Sequence, residues 1–100
     1  MKLKRVLPEW HWAITYDNPL PANSSSMIAA LSDLGTLTQV QTKTTWMLAT
    51  NKGVNWRDVR SAITSNLHPS KGNALYVNLR TGKAFEWGRN TGRIWRKAGG

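Results

Sequence analysis

Apolar and polar side chains alternate along the chain from Trp12 to Asp17, with Trp12, Ile14 and Tyr16 on one side and Ala13 and Thr15 on the other. A period of two marks a strand with one buried face. It predicts a strand over about Trp10 to Tyr16, and the Asp17-Asn18-Pro19 turn signal that follows leaves a carboxylate where the strand ends. The period then changes. Met27, Ile28, Leu31 and Leu34 fall on one helical face, behind Ser24, Ser25 and Ser26 as candidate N-caps and ahead of Gly35 as a stop. This predicts a helix over about Ser25 to Leu34. Thr36 to Thr50 is rich in β-branched residues and has no Pro or Gly, so two strands joined near Gln41 to Lys43 are expected. Trp56, Val59, Ile63 and Leu67 share a second helical face, with Asn55 as its cap, Asp58 near its positive end and Pro69 as its stop. Asn73 to Leu79 alternates again. Arg80-Thr81-Gly82-Lys83 reads as a hairpin turn, Ala84 to Trp87 as a short strand with Phe85 and Trp87 on one face, and Gly88 closes it.

The order strand, helix, strand, strand, helix, strand, with one extra short strand, is that of an α+β, ferredoxin-like βαββαβ chain. An antiparallel sheet with both helices on one face is expected. The 100 residues make one domain, with a core over about 10–88, a basic lead-in before it and a basic tail over 89–100. The second face of the sheet stays open, and two such faces pressed together would make a homodimer.

Charge narrows the choice of partners. Fourteen Lys and Arg stand against five Asp and Glu, a net +9, which favours a polyanion, either nucleic acid or an anionic membrane surface. No apolar run approaches the roughly 20 residues of a membrane span, and no signal-peptide core follows the basic start. The absence of Cys excludes disulfides, thiolate metal sites and a cysteine nucleophile. A cytoplasmic location is expected. Arg80, Lys83, Arg89, Arg93, Arg96 and Lys97 face only Glu86 over that stretch, with Trp87 and Trp95 interleaved. Cations neutralise phosphates while an indole stacks on a base or packs on a sugar. The plainer reading is a solvated tail, with Trp87 in the core and Trp95 docked on its own sheet or on a partner subunit. Arg57 and Arg60, three apart, add a basic strip. Nothing has the spacing of a base-reading motif, so backbone contact with RNA or DNA is the expectation.

Taken in order, Ile14-Thr15-Tyr16-Asp17, Leu34-Gly35, Thr44-Thr45-Trp46-Met47-Leu48 and Leu75-Tyr76-Val77 resemble the small CRISPR-associated adaptation subunit and its VapD-type and SinR-type relatives. The resemblance covers about Trp12 to Gly88. It implies a ferredoxin-like homodimer that binds duplex nucleic acid along basic ridges and, in some members, cuts RNA or DNA with a metal. In those nucleases the Asp after the first strand holds the metal near the two-fold axis. Asp17 is the position onto which that catalytic and metal-binding role carries, with Mg²⁺ as the implied ion.

The residues' own chemistry is thinner. Glu9, Asp17, Asp33, Asp58 and Glu86 are the acids, and no pair has a motif spacing, so a site within one chain is not expected. The plainer role for Asp17 is an Asx-turn. His11 and His68 read as structural or exposed, and no nucleophile elbow, P-loop or zinc spacing is present. Three functions follow: a nucleic-acid-binding homodimer that contacts phosphates, a metal-dependent endonuclease or endoribonuclease with Asp17 paired across the dimer, or a non-enzymatic phage or mobile-element protein that docks on a host protein.

Overall fold

In a computed structural model, which describes residues 10–40 and 45–88, β1 (Trp12–Asp17) is the middle strand of a five-stranded sheet. The other elements are α1 (Ser25–Ser32), β2 (Gly35–Gln39), β3 (Thr45–Thr50), α2 (Trp56–Thr64), β4 (Asn73–Asn78) and β5 (Ala84–Trp87). The strand order is β2-β3-β1-β4-β5, and every neighbouring pair is antiparallel. The fold is α+β.

The alternation in β1 decides where the core lies. Ile14 stands opposite Trp46 on β3 and Tyr76 on β4, and Trp12 stands opposite Leu48. Trp12, Ile14, Tyr16, Trp46, Leu48, Ala74 and Tyr76 are buried with Met27 and Leu31 of α1 and Val59 and Ile63 of α2, so both helices cover this face. Ala13, Thr15, Thr45, Met47, Leu75 and Val77 alternate onto the other face, where no described element lies over them, and they remain half-buried.

Several element ends differ from expectation, some through contacts distant in sequence and some through hydrogen bonds within a turn. Asp17 belongs to β1, because it pairs with Asn73 of β4. Ser24 does not cap α1 with its side chain; it is buried at φ 66, and its hydroxyl accepts from the Tyr16 hydroxyl at 2.9 Å. The Asn23 side chain instead accepts from the Ser25 N–H at 3.0 Å. The helix ends at Ser32, short of Leu34. Gly35 opens β2, where a Cβ would strike the Ala49 carbonyl, so this glycine allows close strand pairing.

Asn55 and Asp58 form a reciprocal capping box at the start of α2. That helix ends at Thr64, before Pro69 has any effect. There the Asn66 amide donates to the Ala62 carbonyl at 2.6 Å, and the Asn66 carbonyl accepts from the Leu20 N–H at 2.9 Å. β4 ends at Asn78, one residue early, because the Asn78 side chain accepts from the Arg80 and Thr81 N–H groups and starts the turn. The expected link near Gln41 to Lys43, the lead-in and the basic tail lie outside the described residues. Among the described residues no helix is long and apolar enough to cross a membrane.

Candidate nucleic-acid interface

Phe85 on β5 organises the basic side of the molecule. Its ring stacks on Tyr76 with centroids 5.4 Å apart and on Trp56 at 5.8 Å, the planes tilted by 9° and 10°. Register explains the first contact, since Phe85 stands opposite Tyr76. Helix geometry explains the second, because Trp56 is the first residue of α2 and lies over the outer strand. Trp12 closes the cluster with its ring 6.0 Å from both Tyr76 and Phe85. Each such pair adds about 0.5–1.5 kcal/mol beyond its buried area.

Cations frame this stack. The Arg57 guanidinium sits 4.9 Å from the Trp56 ring centroid and the Lys83 ammonium 5.5 Å from that of Phe85. Burial pushes the Tyr76 phenol above its ordinary range, and the Arg60 guanidinium pulls it part of the way back, which places Arg60 within electrostatic reach of the same cluster. Arg57, Arg60 and Lys83 are exposed, and Trp56 keeps 36% of its surface open to solvent. The pattern suggested that Trp56 belongs to the core with Val59 and Ile63. As the first residue of its helix, flanked by Arg57, it instead caps the stack at the surface. That first-turn position was the available signal.

Next to this strip a recess of about 370 Å³ opens at the end of the sheet. Lys52 in the loop after β3 and Arg80 in the turn after β4 both line it, together with His11. Thus four of the expected basic residues, Arg57, Arg60, Arg80 and Lys83, border one connected region around Trp12 and Phe85. Arg89, Arg93, Trp95, Arg96 and Lys97 lie outside the described residues. Trp87 is half-buried against the core, in line with its plainer reading.

Asp17 lies elsewhere. It is exposed at the opposite end of β1, five residues beyond Trp12, a strand distance of roughly 17 Å. Its Oδ1 accepts from the Asn73 amide at 3.1 Å, and Asn73 also donates to the Lys71 carbonyl at 3.0 Å. This cross-strand bond holds the carboxylate. The neighbouring turn is held by Asn18, whose amide donates to the Lys71 carbonyl at 2.9 Å. Among the described residues no three His, Cys, Asp or Glu side chains stand together as a metal cage. Among the described residues, Asp17 therefore has no such companions for a Mg²⁺ ion.

His68 lies in the loop beyond α2, where its Nδ1 accepts from the Ser70 and Lys71 N–H groups at 3.2 and 3.1 Å. This is a structural role. Compared with known protein families, curated proteins and solved structures, the chain matches none. No family is shown. The resemblance read in its local sequences has no counterpart in those comparisons.

Proposed function

We propose that this chain is a nucleic-acid-binding protein that contacts the phosphate backbone through the strip formed by Trp56, Arg57, Arg60 and Lys83. The observation that carries the reading is an exposed indole with cations on either side of its stack. The exposed part of this indole offers apolar surface to a base or a sugar, while the cations neutralise neighbouring phosphates. The net charge of +9 supports the same class of partner.

The order β2-β3-β1-β4, with a helix after β1 and another after β3, supports a ferredoxin-like arrangement to which β5 adds an outer strand. The sheet face over which no described element lies supports a homodimer. A shallow groove of about 120 Å³ there is lined by Ala13, Ile14, Thr15, Thr45, Leu75 and Val77, none of them charged.

Labelled single- and double-stranded RNA and DNA, titrated at several salt concentrations, test the proposal. Affinity is expected to fall steeply with salt. Replacing both Arg57 and Arg60 by Ala should lower the slope on duplex by about 2, since each phosphate contact contributes about 0.9. Absent or salt-independent binding would overturn it. The metal-dependent alternative rests on the exposure of Asp17 and on the resemblance. It requires cleavage that depends on Mg²⁺ and is lost in Asp17→Asn.

A further inference from the structure

The stacked rings form a column that runs from the core to the surface. Tyr76, at its inner end, is 2% exposed; Phe85 is half-buried; Trp56, at its outer end, keeps 36% of its surface open. Successive planes along the column differ by 9° and 10°. Trp12 packs against the inner two rings at 47°, so it seals the column there and does not extend it. A further flat group would join the column at Trp56.

The outer ring is held in two ways. The Asn55 Oδ1 accepts from the Arg57 and Asp58 N–H groups at 2.8 and 3.2 Å, and the Asp58 carboxylate accepts from the Asn55 N–H at 3.0 Å. These bonds fix the backbone from which Trp56 projects, and Phe85 supports the indole itself. A ring fixed in advance loses little freedom when a partner packs on it, so more of the contact shows as affinity. The Arg57 guanidinium lies over the indole, and the Lys83 ammonium lies over Phe85. A guanidinium plane also stacks on bases, so Arg57 adds to the flat surface as well as to the charge.

We propose that this strip selects single-stranded over duplex nucleic acid, by packing an unpaired base on the exposed part of the Trp56 indole beside the Arg57 guanidinium. This rests on the nucleic-acid reading given above and adds the class of strand. In a duplex each base lies between stacked neighbours, so a duplex meets the strip through its phosphates alone. A single strand meets it twice, with its phosphates on Arg57, Arg60 and Lys83 and a base on the ring. Every base has a flat face, so the contact tolerates any sequence and agrees with the expectation of binding without base readout. Salt screens the phosphate contacts and leaves the stack, so the preference for single strands widens as salt rises.

The test uses the full-length protein and three labelled probes of equal length, followed by anisotropy. They are a thymidine strand, an abasic strand with the same phosphates, and the duplex of the thymidine strand with its complement. At moderate salt the thymidine strand should bind about fivefold or more tightly than either of the others, the least that one stacked base contributes. Trp56→Leu keeps an apolar cover on Phe85 and removes the flat ring, and it should bring the thymidine strand down to the level of the abasic one. Trp56→Phe should restore part of the preference, whereas Arg60→Ala should weaken all three probes together. Near-ultraviolet circular dichroism of the buried Trp cluster checks that the variants keep their fold. The abasic comparison is made on the unaltered protein, so it decides the matter even if Trp56→Leu is unstable. Equal binding of all three probes, or a preference that survives in folded Trp56→Leu, would overturn the single-strand inference and leave the phosphate reading standing. Failure of every probe to bind would remove both.

Discussion

The Tyr16 hydroxyl ties three elements together. It accepts from the Trp46 indole N–H on β3 at 3.0 Å and donates to the Ser24 hydroxyl at the entry to α1 at 2.9 Å. All three residues are buried, so neither partner has water as a substitute. Tyr16→Phe keeps the ring and removes the link, and should lower stability by about 1–3 kcal/mol. In a domain of this size thermal unfolding should shift down by about 4–8 °C per kcal/mol. An unchanged transition would mean that water reaches the Trp46 indole. The alternation in β1 made Tyr16 legible as a core position. Its hydrogen bonds were not legible, because Trp46 is 30 residues away and Ser24 carries the ordinary signature of a helix cap. His11 is a similar case, since its partner Thr50 is 39 residues distant.

At the scale of elements, signals that act within a turn or two were read well. Asn55 and Asp58 are three residues apart, and the capping box they form needs nothing beyond that turn. Asn55→Ala should cost about 1 kcal/mol and fray the start of α2, measured as a lower unfolding temperature with reduced helical circular dichroism. The same change would also loosen Trp56, which begins the helix and lies over Phe85. Gly35 and Pro69 misled for a common reason. Each is a helix terminator by local preference, but Gly35 serves the pairing of β2 with β3, and α2 has already ended at Thr64. Trp56 kept the correct helical phase, yet its place at the very start of α2 turned a core expectation into a surface ring.

For the molecule as a whole, the net charge was plain in the sequence, but its placement was not. Lys52 and Arg80 are 28 positions apart and line one recess only because β3 and β4 flank β1 and end on the same side. Conversely, Asp17 and the basic region are separated by the length of the central strand. The sheet face over which no described element lies belongs to this scale too. If two copies meet there, the protein should sediment at twice 11.2 kDa, and Leu75→Glu should yield a monomer with unchanged secondary structure. A wild-type chain that sediments as a monomer at high concentration would remove the two-copy arrangement.

The outermost strand has a further effect, unrelated to ligands. β5 is four residues long and, among the described strands, pairs with β4 alone. Without it, β4 would form the rim of the sheet, and its Ala-Leu-Tyr-Val run would present unpaired N–H and C=O groups to any passing chain. Such a rim templates aggregation, whereas a short strand with exposed charges, here Glu86 with Lys83 just before it, discourages it. β5 therefore acts as a guard rail for the apolar strand behind it, and the stack of Trp56 on Phe85 is what fastens that rail in place. Selection for solubility alone would resist change at these two rings, whatever the protein binds.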